Sequence, residues 1–203
     1  LFTAARWAAQ QAGGTWSANF NPESLINSNQ VVTVIVWYLT VLLLGWVAFP
    51  LLFTGLSGLA DRGYAASKAA ALLCIAWLSW FLASFQILPF TSTVLWGCAV
   101  LLLFLAAGLA FLQRQALLVW LRDNRGYILS TELLFLVLFC GFLAVRYHNP
   151  DLWHPSYGGE KPMDFAYFNG VIRSTSFPAI DPWFAGGYLN YYYFGFVIVA
   201  TIT

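Results

Sequence analysis

Lys and Arg number 9 and Asp and Glu 8 in this 203-residue chain, yet seven of these 17 charges fall between positions 146 and 181. They are Arg146, Asp151, Glu160, Lys161, Asp164, Arg173 and Asp181. His148 and His154 lie among them, with Trp153, Tyr157, Tyr167, Trp183 and Tyr188 in and beside the same stretch. That mixture suits a carbohydrate: aromatic faces stack on sugar rings, carboxylates bind hydroxyls or a metal, and Arg or Lys holds a phosphate. A solvated loop rich in interfacial aromatics has the same composition.

Asp164 is the most informative of these residues. Pro162 suits a first helical turn and the run from Thr175 to Pro178 ends one, so a short helix is predicted from Pro162 to about Arg173. At about 100° per residue, Asp164 falls at the centre of an apolar arc of Phe165, Tyr167, Phe168, Val171 and Ile172. Ala166, Asn169, Gly170 and Arg173 take the opposite side. A helix lying on a membrane then presses this carboxylate toward lipid or the helical bundle, which makes it a candidate base. The alternative is an acid complementing the helix N-terminal dipole. Glu160, four residues earlier, is placed to share a proton, a cation or a hydroxyl with it. Asp181 precedes Pro182-Trp183 and Gly186-Gly187, a tight turn that brings backbone close to a ligand, and Tyr191-Tyr192-Tyr193 opens the next apolar run. Tyrosines there serve as interfacial anchors or as ligand groups.

The elements that position this loop follow from composition. The chain is 61% hydrophobic and 8% charged, against about a quarter charged in soluble domains, so a bilayer is the expected surroundings. Disordered, collagen-like and disulfide-scaffold classes are excluded by the apolar content, 16 Gly and 3 Cys. A net charge of +1 argues against nucleic acid as a partner. Spans of about 20 apolar residues occur at 31–56, 68–90, 93–112 and 127–146, and a fifth begins near Tyr191. The fold class is therefore all-α, a polytopic transmembrane bundle with four full spans, the start of a fifth, and a loop carrying a short juxtamembrane helix. Residues 1–30 are unassigned, 31–146 hold the four spans, 147–190 the acidic and aromatic loop, and 191–203 the fifth helix. Pro50 is expected to kink the first span and Pro89 to end the second. Arg62 and Lys68 precede the second span and Arg114, Arg122 and Arg125 precede the fourth, whereas the turn 89–92 carries no charge. Basic loops stay in the cytoplasm, so the loop 147–190 and the first thirty residues are expected outside. The chain opens on Leu1 and stops inside an apolar run, which reads as a fragment.

Within the spans, Cys74, Cys98 and Cys140 have no CxxC spacing and no neighbouring His, and read as small packing residues. Glu132 lies about 9 Å into the fourth span, shallow enough to snorkel or to pair with Arg125, although an intramembrane carboxylate is also a functional candidate. His148 and His154, six apart and split by Pro150, read as lone hydrogen-bonding histidines rather than metal ligands.

The sequences 148–155 (HNPDLWHP), 158–164 (GGEKPMD), Arg173-Ser174, Phe177-Pro178, 181–187 (DPWFAGG) and 190–195 (NYYYFG) resemble the "YYY" family of bacterial and archaeal multipass membrane proteins, domain of unknown function 2298. The Asp61-Arg-Gly-Tyr64 loop with Lys68, and Glu132-Leu-Leu-Phe135, are similar to it as well. That family is in turn similar to the C superfamily of integral-membrane glycosyltransferases, relatives of protein O-mannosyltransferases, aminoarabinose transferases and oligosaccharyltransferase. The resemblance implies a glycosyltransferase in the plasma membrane of a bacterium or archaeon, taking sugar from a polyprenyl-phosphate donor at its extracytoplasmic face. It implies Asp164 as catalytic base or acceptor-orienting residue, Glu160 beside it, and Asp181 in the second part of the loop. Lys161 and Arg173 are then the cations for the departing phosphate, and His154, Trp183, Tyr191 and Tyr192 complete the substrate-binding candidates. Glu160, Asp164 and Asp181 are oxygen ligands for Mg²⁺ or Mn²⁺ if folded together. The rival expectations are a transporter or flippase, which predicts ionisable residues facing one another deep within the spans, and a non-catalytic membrane scaffold. Membrane lipids are partners on every one of these readings.

Overall fold

A computed structural model describes residues 1–10, 20–150 and 160–203. Among them the chain is all helical apart from turns and one antiparallel bridge between Ile180 and Tyr188. The helices are α1 (Ala4–Gln10), α2 (Leu25–Ser28), α3 (Gln30–Gly55), α4 (Ser67–Ser84), α5 (Ser92–Leu112), α6 (Arg114–Asp123), α7 (Arg125–His148), α8 (Lys161–Ile172) and α9 (Phe194–Ala200). Four of them, α3, α4, α5 and α7, are long and apolar enough to cross a membrane. The protein is an all-α polytopic membrane protein.

Local chemistry sets where each span starts and stops. The Asn29 side chain caps α3 by accepting from the backbone N–H groups of Val31 (3.0 Å) and Val32 (3.2 Å). Pro50 lies inside α3, and Thr54 Oγ1 donates back to the Pro50 carbonyl at 2.9 Å. The second span ends six residues earlier than its apolar run suggests. α4 ends at Ser84, where Gln86 turns left-handed (φ 58°), Gln86 N donates to Ala83 O and Ile87 N to Leu82 O. Those two bonds form a Schellman motif, which stops a helix more firmly than hydropathy can extend it. The fifth apolar run turns helical only at Phe194, not at Tyr191.

α3, α4 and α5 pack around Ala48, Ala71, Ile75, Ala76, Leu95, Cys98 and Leu102, small and branched residues that allow close approach of helices in lipid. Cys98 packs here as expected, whereas Cys74 and Cys140 face outward. The stretch expected as a basic loop after the third span is the amphipathic α6, whose Leu117, Trp120 and Leu121 cover Phe49, Phe53 and Tyr64. α7 has no buried residue. Its ring contacts with α3 run through Tyr38, 5.4 Å from Phe135 and 5.3 Å from Phe139.

The other end of the bundle carries a cap. Segment 174–180 leaves α8 and returns over the α4–α5 turn, with Phe90 N donating to Thr175 O at 2.7 Å. α1 is tied to the same segment by one buried side chain. Gln10 Nε2 donates to Ser176 O (2.6 Å) and Pro178 O (3.3 Å), while Gln10 Oε1 accepts from Thr175 N (2.8 Å) and Ser176 N (3.2 Å). A single amide thus satisfies both kinds of backbone group in a segment that belongs to neither helix nor sheet.

Candidate functional site

α8 forms where the sequence places it, Lys161–Ile172, with Pro162 in its first turn. Its orientation differs in part from the periodicity argument. Tyr167, Phe168 and Ile172 pack on the core and Asp164 is half-buried, but Phe165 turns outward and Gly170 is buried. The cause is the chain's return: a Cβ on Gly170 would lie 2.6 Å from the Ile180 carbonyl oxygen. Packing against segment 174–180, rather than the apolar arc alone, sets which way the helix faces.

The acidic pair meets the tyrosine run at the start of α9. Tyr192 Oη donates to Glu160 Oε2 in a long hydrogen bond of 3.5 Å. Asp164 N donates to the Glu160 carbonyl at 2.9 Å. Among the described residues no hydrogen bond engages the Asp164 carboxylate, although its charge is felt at Tyr192. The Tyr192 phenol is pushed up to about 12, first by its hydrogen bond with Tyr191, then by burial and by the charges of Tyr191, Glu160 and Asp164. It therefore stays a neutral donor near neutral pH. Tyr191 packs at a tilt against Tyr192, with centroids 4.0 Å apart, and against Tyr167 at 6.2 Å. Beside this group a hollow of about 310 Å³ is lined by Trp77, Trp80, Tyr191, Tyr192, Tyr193 and Phe194. Trp80 Nε1 donates to Tyr193 Oη at 3.2 Å, which fixes the hollow's floor to α4.

Other sequence candidates stand elsewhere. Asp181 Oδ1 accepts from Trp183 N at 2.8 Å and Asp181 N donates to Gly187 O at 3.1 Å, so this carboxylate holds its own turn. Among the described residues no three His, Cys, Asp or Glu side chains are grouped to hold a metal ion. The Mg²⁺ or Mn²⁺ site that would join Asp181 to Glu160 and Asp164 does not assemble. Trp183 is exposed, Lys161 is half-buried at the start of α8, and Arg173 is exposed past its end. His154 lies outside the described residues, and His148 Nδ1 bonds the Ala144 carbonyl at 2.8 Å. The sequence reading passes over Trp77 and Trp80, whose signal is two indoles three apart on one helix face.

A second polar cluster sits at the opposite end of the bundle. Glu132 does not reach Arg125. Its Oε1 accepts from Lys68 Nζ at 2.8 Å and from Tyr64 Oη at 2.5 Å. Lys68, counted in the sequence as a loop charge, is 8% exposed inside α4. Its ammonium lies 4.8 Å from the Phe135 centroid, and its stem fills the space beside Gly45, where a Cβ would come within 2.6 Å of Lys68 Cγ. Burial first, then the hydrogen bond to Glu132 and its charge, raise the Tyr64 phenol well above its ordinary range. Glu132 Oε2 is buried without a partner among the described residues.

The model of the uncharacterized membrane protein family DUF2298 matches residues 74–203. The chain belongs to this family. The DUF2298 match takes in Trp77, Trp80, Glu132 and the whole described cap from Glu160 onward, whereas Tyr64 and Lys68 precede it. No curated protein matches the chain, and no solved structure does.

Proposed function

We propose that this DUF2298 protein is an integral-membrane glycosyltransferase that takes sugar from a polyprenyl-phosphate donor at the extracytoplasmic face. The carrying observation is the meeting of Glu160, Asp164 and the Tyr191-Tyr192 pair beside an aromatic hollow at the end of α4. Rings suited to stacking on a sugar or an isoprenoid lie next to a carboxylate that no hydrogen bond engages among the described residues. Asp164 accepts the proton of the acceptor hydroxyl as that oxygen bonds the anomeric carbon. The bond from that carbon to the phosphate oxygen breaks, and its electron pair leaves with the lipid phosphate. Lys161, three residues before Asp164 and on the same helix face, is the cation for that charge. The sidedness rests on Arg62, Arg114, Arg122 and Arg125, which gather at the end opposite the cap.

The Lys68–Glu132 pair supports a second reading, a transporter or flippase whose polar cargo exchanges for one partner of an intramembrane ion pair. Sugar transfer by membranes carrying the full-length protein separates the two. Transfer that disappears in Asp164→Asn and persists in Glu132→Gln supports the transferase. No transfer from any polyprenyl-phosphate donor, with solute flux abolished by Glu132→Gln, supports the transporter.

A further inference from the structure

On the cap side of the bundle, a second cavity of about 430 Å³ opens between α1 and the α4–α5 turn, sharing no lining residue with the aromatic hollow. Its walls are largely apolar, including Ile87 and Leu88, and its polar lining includes Arg6, Gln86, Thr91 and Ser176. Among the described residues no carboxylate lines it and none pairs with the Arg6 guanidinium. The cavity is therefore positive, with neutral donors around its one cation.

Its depth is set by the helices. α4 ends at Ser84 and α5 begins at Ser92, so the turn between them lies where two spanning helices stop, at the boundary of hydrocarbon and headgroups. Gln86 adds an independent observation. It occupies the left-handed position of the Schellman motif with φ 58°, a conformation that Gly adopts freely and a side chain adopts at a cost. Placing an amide-bearing side chain there is explained if the amide is needed, and Gln86 lines the cavity.

We infer that the cavity binds the headgroup of a net-anionic membrane phospholipid, its phosphate on Arg6 with Gln86, Thr91 and Ser176 as donors and its acyl chains running down past Ile87 and Leu88. The lipid bridges α1 to the α4–α5 turn, beside the Gln10 clamp. This site is separate from the carboxylate cluster, and the inference does not rest on the transferase reading.

The test is native mass spectrometry of the detergent-solubilised full-length protein titrated with phosphatidylglycerol, phosphatidylcholine or a polyprenyl phosphate. The wild type is expected to bind phosphatidylglycerol about tenfold more tightly than phosphatidylcholine, with Arg6→Gln erasing the preference. Gln86→Gly weakens phosphatidylglycerol binding without lowering the unfolding temperature, because the backbone strain is relieved, and so separates a lost donor from a lost fold. Equal affinity for the two phospholipids, a preference unchanged in Arg6→Gln, or retention of polyprenyl phosphate alone overturns the inference.

Discussion

Glu132 in the fourth span and Asp164 on the cap helix α8 both lie near tyrosines, and their surroundings differ. Glu132 is bound on one oxygen by both Lys68 and Tyr64, behind a glycine that makes room for the lysine stem. Asp164 is half-buried on a short helix, and among the described residues no hydrogen bond engages its carboxylate. A carboxylate whose charge is neutralised by a packed cation holds helices together. One that no described residue hydrogen-bonds, beside a ring-lined hollow, suits a reactant on the proposed transferase reading. On the proposed function, this difference separates architecture from chemistry.

The largest effect is expected at the open carboxylate. Asp164→Asn keeps the shape and removes the proton acceptor, and should lower sugar transfer by about 100-fold or more at unchanged expression. Glu160→Gln should cost less, because that carboxylate holds Tyr192 rather than facing the acceptor directly. Initial rates in membranes, normalised to folded protein, decide the ranking; equal rates for Asp164→Asn and wild type would end the catalytic reading of the cap.

On the closed side the loss is in stability. Lys68→Met leaves Glu132 with its charge inside the bundle and should destabilise by about 3–5 kcal/mol, whereas the double replacement Lys68→Met with Glu132→Leu should recover most of that loss. Thermal unfolding in detergent across the four-member cycle measures the coupling. If the single and double variants unfold alike, the pair does not hold α7 to α4.

How these two regions show in the sequence follows the same division. Hydropathy locates all four spans because about 20 apolar residues in a row have few other uses. The acidic loop stands out because a chain so poor in charge concentrates it between Arg146 and Asp181. The Lys68–Glu132 pair is not legible, since its partners lie 64 residues apart and Lys68, at the start of a span, reads as a loop charge. The early end of α4 is hidden for another reason: Gln86 carries no glycine signal for its left-handed turn. Gln10 is one polar residue in an unassigned segment, and only the folded return of 174–178 gives it a role. Local periodicity likewise misplaces Gly170, whose burial depends on the backbone of Ile180.

Two glycines sharpen the comparison at smaller magnitude. Gly45→Ala pushes α3 away from Lys68, whose own backbone lies 3.3 Å from the added carbon. Gly170→Ala meets the Ile180 carbonyl and displaces segment 174–180 from α8. Each should cost about 1–3 kcal/mol by overpacking, and only Gly170→Ala should also reduce sugar transfer per folded molecule, because only it moves the cap. Matched unfolding and activity measurements check the split; transfer lowered equally by both would mean that the two ends are coupled.

The smallest effect concerns the loop next to the closed pair. Burial raises the Asp61 carboxyl, but the backbone N–H groups of Ala65 and Gly63 and the Tyr127 hydroxyl outweigh it and hold the group below its ordinary value. A carboxylate depressed in the folded state favours folding at pH above its unfolded value of about 3.9, and that contribution fades as pH falls through the lower folded value. The unfolding temperature should therefore drop on acidification below about pH 4 more steeply in the wild type than in Asp61→Asn, where no charge is lost. Asp61 binds the turn that delivers Tyr64 and Lys68 to Glu132. Its acid sensitivity should accordingly shrink in the Lys68→Met, Glu132→Leu double variant. An acid response identical in wild type and Asp61→Asn would place it on other carboxylates, and would separate the turn from the ion pair it leads into.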